Sequence, residues 1–286
     1  MSSLINIPTY ILNNLEISKM SKAKKIYYLK ISVLFVFAEK LLSEQLYCKV
    51  IGRLHFVNVK VSYKNNYFIV EDSYGRFYYT NKRFTRMLRG IAVFSKHLSE
   101  VYLIDHIEFK DNDTVIDCGA NVGELIPYFY NHSSSINYIG FEPDIKIFEA
   151  LQKNFTIKDG NIFQVGLSDT EGVKKLYIDS DGADTSLEKS ETNTYNKIEV
   201  KKLDSYKFEN VKLIKIDGEG HELEILLGAK KTLKKTKYVS IDHGPEKGIN
   251  NLRTTPEVYL NLIENNFVPI LTSSAREITL FKNNNL

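Results

Sequence analysis

The sequence lacks the features that mark secreted, disulfide-stapled or membrane-spanning proteins. Only two cysteines, Cys48 and Cys118, occur in 286 residues, which excludes a disulfide scaffold and favours a reducing compartment. The most apolar run, Ile31–Ala38, has eight residues, whereas a membrane-spanning helix needs roughly 20. The first residues show no basic region followed by an apolar stretch, so we expect no secretory signal and a cytoplasmic location.

The sequence also lacks a large excess of either sign of charge, since the formal net charge is only +3. The total hides an asymmetry: residues 1–110 carry 17 Lys and Arg against 8 Asp and Glu, whereas residues 111–286 carry 21 against 27. A hydrophobic content of 43% is enough for a real core and excludes bulk disorder. We predict two parts, an accessory segment over 1–107 and a main domain over 108–286.

The accessory segment is predicted to be a helix, a small sheet and a second helix. Lys22–Tyr47 has apolar residues at helical spacing, which predicts one long helix with a buried face. Its lysines and aromatic residues also permit an interfacial helix on anionic lipid, so peripheral membrane contact stays open. Self-association and selection of an acidic acceptor are further roles for this basic segment. Strands are predicted over Arg53–Tyr63, Tyr67–Glu71 and Arg76–Thr80, followed by a helix over Arg83–Ile104.

After Lys110 the pattern changes to strands that alternate with helices, which predicts a doubly wound, mostly parallel sheet with a Rossmann-like topology. A hairpin at the end adds an antiparallel strand. The predicted strands are 114–118, 137–141, 161–165, 173–178, 197–203, 211–216, 237–241, 268–271 and 277–281, and the predicted helices are 122–131, 145–155, 221–233 and 255–265.

The clearest motif is a glycine loop between a strand and a helix. The strand Thr114–Cys118 contains Asp117 near its end, and Gly119 and Gly123 follow. This G-x-x-x-G spacing differs from the G-x-G-x-x-G of dinucleotide sites, and the chain contains no P-loop motif. A carboxylate at the strand end suits a ligand with an ammonium group better than a pyrophosphate.

A second carboxylate, Glu142, follows the next predicted strand, about 20 residues beyond the glycine loop. At this place in doubly wound sheets a carboxylate accepts hydrogen bonds from both hydroxyls of a ribose. A nucleoside with a cationic amino-acid tail satisfies both motifs together. The two motifs therefore predict S-adenosylmethionine as the cofactor.

These motifs resemble those of the FkbM-type S-adenosylmethionine-dependent methyltransferases. The matching stretches are VIDCGANVGE (115–124), GFEPD (140–144), VGLSD (165–169) and LIKIDGEGHELEILLGA (213–229), and the resemblance covers roughly residues 108–282. Gly218 departs from the pattern, since the family usually has a β-branched residue there. The resemblance implies that Asp217 lies near the reacting methyl and that residues 166–169 lie near the adenine. The predicted cofactor-binding residues are Asp117, Gly119, Ala120, Asn121, Gly123, Glu142, Pro143, Ser168, Asp169 and Asp217.

Candidate catalytic residues occur in two clusters after predicted central strands, where ligands bind in open α/β sheets. His221 follows Asp217 in the first cluster, and Asp242 and His243 form the second. A neutral imidazole can act as general base toward an alcohol, and the sequence does not separate the two histidines. Asp217 and Asp242 could also hold Mg²⁺, although we do not favour a metal.

The resemblance implies methyl transfer to a hydroxyl, and we favour a sugar or cell-surface glycan intermediate as acceptor. Two alternative functions remain. The protein could methylate a natural product on oxygen or nitrogen, or it could be a binding or scaffold protein with the same fold that has lost catalysis. No nucleic-acid motif is present, so no nucleic acid is expected as a partner. The acidic run 179–184 has its glycine at position four rather than six, so we predict a polar loop instead of a calcium site.

Overall fold

The computed structural model describes residues 19–54, 57–133, 135–155, 161–178, 185–187, 194–273 and 276–286. The chain divides into two compact units, Met1–His97 and Leu98–Leu286. This division falls earlier than the predicted boundary after residue 107, because Tyr102, Ile104 and Ile107 pack into a hydrophobic cluster of the second unit.

The first unit contains helices and a small antiparallel sheet. Strand β1 pairs with β2 and β2 with β3, which is the predicted meander. Inward-facing Phe68, Val70 and Phe77 are buried on one side of it. The elements are α1 (Lys22–Leu41), α2 (Glu44–Ile51), β1 (Lys60–Lys64), β2 (Tyr67–Asp72), β3 (Gly75–Tyr79), a 3-10 helix (Lys82–Met87) and α3 (Ile91–Val101), which continues into the second unit.

Three predictions for this unit are wrong in their bounds. The long helix breaks at Leu42 and Ser43, whose backbone is extended before α2 begins. The first strand begins at Lys60 rather than Arg53, because α2 runs to Ile51 and turns follow it. The predicted helix over Arg83–Ile104 is interrupted at Gly90, whose φ of 134° lies outside the helical region.

The second unit is built on a seven-stranded sheet with the order β15-β16-β12-β11-β4-β5-β6. Neighbouring strands from β12 to β6 are parallel, whereas β16 runs antiparallel between β12 and β15. This confirms the Rossmann-like sheet and its antiparallel C-terminal hairpin. The strands are β4 (Thr114–Cys118), β5 (Asn137–Phe141), β6 (Asn161–Phe163), β11 (Val211–Ile216), β12 (Thr236–Asp242), β15 (Phe267–Thr272) and β16 (Ile278–Asn283).

Helices and short strands complete the second unit. The helix predicted over 221–233 is split at Gly228, where the carbonyl oxygen of Ser168 approaches so closely that a Cβ would lie 2.1 Å from it. The remaining helices are α4 (Ile126–His132), α5 (Ile145–Asn154), α6 (Glu222–Leu227), α7 (Lys230–Leu233) and α8 (Thr255–Glu264). The remaining strands are β7 (Gly166–Leu167), β8 (Gly172–Ile178), β9 (Thr185–Ser186), β10 (Tyr195–Lys201), β13 (Pro245–Lys247) and β14 (Leu252–Arg253).

The central strands are buried on both faces, which is why they form nearly continuous apolar runs. Ile116, Ile139 and Ile214 belong to one hydrophobic cluster, and Val115, Tyr138 and Leu213 to another. Within the described ranges, no helix has the length and apolar character needed to cross a membrane. The core therefore fixes the ends of β4, β5, β11 and β12, which carry the predicted site.

Candidate active site

Four acidic side chains lie at the carboxyl ends of four neighbouring parallel strands. Asp117 and Asp242 occupy the ends of β4 and β12, and Glu142 and Asp217 directly follow β5 and β11. Three of them are almost fully buried, with exposures of 2% for Asp117, 4% for Glu142 and 2% for Asp242. The strand order therefore brings together carboxylates that the sequence places up to 125 positions apart.

The glycine loop after β4 is held tightly against its neighbours. The backbone N–H groups of Gly119 and Ala120 both donate to the carbonyl of Phe141. A Cβ on Gly119 would lie 2.1 Å from the carbonyl oxygen of Asp217, and Gly123 has a φ of 86°. Both glycines are thus required, one for close approach and one for its backbone conformation.

Glu142 closes the same loop from the next strand. Its Oε2 accepts from the backbone N–H of Asn121 at 3.0 Å, and its Oε1 accepts from that of Asp144 at 2.9 Å, across the half-buried Pro143. Burial raises the pKa of Glu142 to about 8. Each oxygen has a further lone pair, so the carboxylate can also accept from two ligand hydroxyls.

Asp117 is held by groups of the protein itself. Its Oδ1 lies 3.0 Å from the Nζ of Lys215 on β11, and its Oδ2 accepts from the hydroxyl of Tyr138 at 2.7 Å. Lys215 also donates to the carbonyl of Gly119 at 2.8 Å. Burial raises the pKa of Asp117, and the ammonium of Lys215 opposes that shift. Asp117 therefore anchors the glycine loop through Lys215, and its contact with the methionine end of the cofactor stays a prediction.

Asp217 and Asp242 each have a partner from a distant part of the second unit. The hydroxyl of Tyr102 donates to Asp217, and burial together with that carboxylate raises the pKa of Tyr102. The guanidinium of Arg276 lies 2.7 Å from Oδ2 of Asp242 and 3.8 Å from Glu246. Burial and the negative charge of Asp217 raise the pKa of Asp242. This edge of the sheet is thus polar and predominantly acidic.

His221 belongs to a network with the predicted adenine-side residues. Its Nε2 lies 3.0 Å from the hydroxyl of Ser168, which donates to Asp169 and accepts from Lys174. Since that hydroxyl has one proton and gives it to Asp169, the Nε2 of His221 is the donor. His221 is 4% exposed, and its Nδ1 lies 3.7 Å from Glu224. His221 therefore links the loop before α6 to the segment after β7 that contains Ser168.

His243 is enclosed by hydroxyl groups. Its Nδ1 lies 2.9 Å from Thr255 and its Nε2 lies 3.0 Å from Thr279. Burial lowers the pKa of His243, so its ring is neutral at pH 7. Both ring nitrogens are occupied, which leaves neither one directed at a substrate in this conformation.

The loop between β11 and α6 is braced by Glu222, a residue that the sequence did not single out. Its Oε1 accepts from the backbone N–H groups of Gly218 at 3.1 Å and Gly220 at 3.0 Å. Its Oε2 accepts from the hydroxyl of Thr254 at 3.0 Å. Burial raises the pKa of Glu222 to about 7. These contacts fix the backbone that presents Asp217.

The part of the sequence that forms this site matches a known protein family. The profile of the methyltransferase FkbM domain matches residues 117–269, from the glycine loop to β15. The chain belongs to the FkbM methyltransferase family. It is therefore an S-adenosylmethionine-dependent methyltransferase. No curated protein matches the sequence.

Solved structures with a similar fold include other methyltransferases. The methyltransferase FkbM from Methylobacillus flagellatus is 19% identical with a TM-score of 0.45, over 71% of this chain and 55% of that protein. A SAM-dependent methyltransferase from Aquifex aeolicus is 12% identical with a TM-score of 0.40, over 67% and 97%. TrmK from M. capricolum, in complex with S-adenosylhomocysteine, is 15% identical with a TM-score of 0.37, over 66% and 68%.

The residues of this FkbM methyltransferase fit its cofactor chemically. Glu142 has spare acceptor positions for a ribose diol, and it lies beside a loop whose glycines permit close approach. Asp217 follows β11 beside the end of β4, where its backbone N–H donates to the carbonyl of Cys118, and its carboxylate adds negative charge next to the Asp117–Lys215 ion pair. The individual roles of these residues in binding stay predictions.

Four residues of the site were not predicted from the sequence: Tyr102, Lys215, Glu222 and Arg276. Only Lys215 had a visible signal, since a charged residue inside the apolar strand Val211–Ile216 requires a buried partner. Among the described residues no group of three or more His, Cys, Asp or Glu is arranged to hold a metal ion. The predicted polar loop 179–184 lies outside the described residues.

Proposed function

We propose that this enzyme transfers the methyl group to a hydroxyl, on a sugar or a cell-surface glycan intermediate. The supporting observation is the acidic edge formed by Asp217 directly after β11, Asp242 at the end of β12 and Glu246 on β13. Carboxylates accept hydrogen bonds from hydroxyls, so such an edge can bind and orient a polyol.

The cofactor supplies an electrophilic methyl group on a sulfonium when it is bound. The protein must then orient the acceptor oxygen and receive its proton. Orientation in such a site is worth ~7–11 kcal/mol of the barrier. A general base adds typically ~10²–10⁴-fold.

Asp242 is the base that we propose. Burial and the charge of Asp217 raise the pKa of Asp242, which makes its ionised form a stronger proton acceptor. Its partner Arg276 has a half-exposed side chain, so the guanidinium can move aside when an acceptor binds. His243 lacks this freedom because two threonine hydroxyls hold its ring.

The proposed base is tested with Asp242→Asn and the matched variant His243→Gln. We expect Asp242→Asn to lower kcat by about 10²-fold or more while S-adenosylmethionine affinity stays similar, whereas His243→Gln loses much less. Binding calorimetry and thermal unfolding separate catalysis from misfolding. Full kcat in Asp242→Asn with a large loss in His243→Gln would reject Asp242 and return the role to histidine.

The acceptor class is tested by forming S-adenosylhomocysteine in the presence of sugars and of their amino-sugar counterparts. Mass spectrometry of the product then locates the methyl on oxygen or nitrogen. Transfer to the hydroxylated sugars supports the proposal. Transfer only to amines would overturn it.

A further inference from the structure

Helix α1 has two apolar stripes, and only one of them is buried. Ile31, Phe35 and Ala38 are 5%, 6% and 2% exposed and form the inner stripe. On the opposite side Val33 and Phe37 are 48% and 59% exposed. Spacings of three and four residues place each set on its own face of the helix. The outer face therefore keeps large apolar side chains in water.

The outer face also contains lysines at the same spacing. Lys30 lies four residues after Ile26 and three before Val33, so it lies within the apolar stripe rather than beside it. The whole helix carries five lysines and one glutamate. The outer face, which we call the α1 stripe, consists of Lys22, Ile26, Lys30, Val33, Phe37, Lys40 and Leu41.

We propose that the α1 stripe binds the surface of an anionic lipid bilayer. A helix lying in the headgroup region can insert its apolar side chains while its lysines extend their alkyl stems toward lipid phosphates. Each lysine near an anionic leaflet then adds electrostatic attraction. Membrane attachment of this kind goes beyond methyl transfer and would concentrate the enzyme where membrane-bound acceptors are.

The charge pattern distinguishes this partner from protein partners. A dry protein interface over the α1 stripe would bury Lys22, Lys30 and Lys40 without water, which is costly unless each is paired. A second copy packed stripe to stripe would place lysine against lysine. A bilayer is apolar inside and anionic at its surface, so it satisfies both side-chain types without one specific partner for each lysine.

The proposal is tested by co-sedimentation of the full-length protein with vesicles of phosphatidylcholine, with and without phosphatidylglycerol. We expect pelleting with the anionic vesicles, little pelleting with the neutral ones, and release as salt approaches 1 M, where the Debye length is about 3 Å. No pelleting above background with anionic vesicles would overturn the proposal.

Two variants and their controls locate the contact. Replacement of Lys22, Lys30 and Lys40 by Gln should weaken partitioning by on the order of a hundredfold. Phe37→Ser should weaken it as well, because Phe37 contributes inserted apolar area. The charge-matched control replaces the exposed Lys202, Lys230 and Lys234 by Gln. Leu260→Ser is the control for losing one exposed apolar side chain, since Leu260 is 61% exposed.

Two further outcomes would reject the lipid partner. Equal losses in the α1 variants and in their controls would mean that the contact is not at α1. Light scattering that shows a dimer without vesicles, converted to monomer by Phe37→Ser, would assign the stripe to a second copy of the chain. Circular dichroism of every variant confirms that the helix is retained.

Discussion

We predict that Glu142 makes cofactor binding depend on pH, and the size of the dependence follows from its pKa. Burial raises the pKa of this carboxyl to about 8, so near pH 7 most free enzyme molecules hold it protonated. Ribose hydroxyls donate to the ionised form, so binding favours loss of the proton. The apparent Kd then follows 1 + 10^(pKa − pH), and affinity should tighten about tenfold between about pH 7 and about pH 9.

The assay is calorimetric titration with S-adenosylhomocysteine and with 5′-methylthioadenosine, which keeps the adenosine but lacks the amino-acid end. Since an α-amino group titrates near pH 8, the second ligand removes that contribution from the pH dependence. Titrations in two buffers of different ionisation enthalpy should show release of nearly one proton near pH 7. Glu142→Gln should bind more weakly with a flat pH dependence.

The ligand-free protein offers an independent check. Glu142 has a folded-state pKa above its ordinary value of 4.5, so its contribution to stability is present below about pH 4.5 and is lost as pH rises through about 8. The melting temperature of Glu142→Gln should therefore rise relative to that of the wild type over this interval. An unchanged difference, together with equal pH slopes for ligand binding in both proteins, would refute the reasoning.

Two further predictions concern the scaffold of the site. Lys215→Met leaves Asp117 buried without its cation and should cost about 3–5 kcal/mol of unfolding free energy, measured by urea unfolding. The loss should be smaller at acid pH, where Asp117 is protonated. The control is Lys212→Met, at a more exposed position on β11. A similar loss for both variants would contradict the first. Gly220→Ala should destabilise by about 1–3 kcal/mol in the same assay, because its φ is 94° and a Cβ would lie 2.7 Å from the carbonyl oxygen of Glu246. A wild-type midpoint for Gly220→Ala would contradict the second.

The sheet was predictable because its signals are local. Each central strand is a short apolar run followed by glycine or an acidic residue, and the carboxyl ends of parallel strands share one edge. That rule predicted that the clusters of Asp217 and Asp242 lie at the edge where ligands bind, while the family resemblance implied that Asp217 lies near the reacting methyl. Bounds were less predictable where a break depends on packing, as at Gly228, whose missing side chain admits the backbone of Ser168.

The partners of those carboxylates could not be predicted, because each comes from a segment whose position only the folded chain defines. Tyr102 lies 115 positions before Asp217, and nothing in its neighbourhood differs from an ordinary helix end. Arg276 lies between β15 and β16, and no pattern in the sequence around it indicates a contact with Asp242. The sequence thus predicts which charges gather at the active edge, whereas the fold determines which of them are neutralised. Asp242 accepts from the backbone N–H of Gly244 and is ion-paired with the half-exposed Arg276, and we expect a substrate to displace the arginine rather than the buried backbone contact.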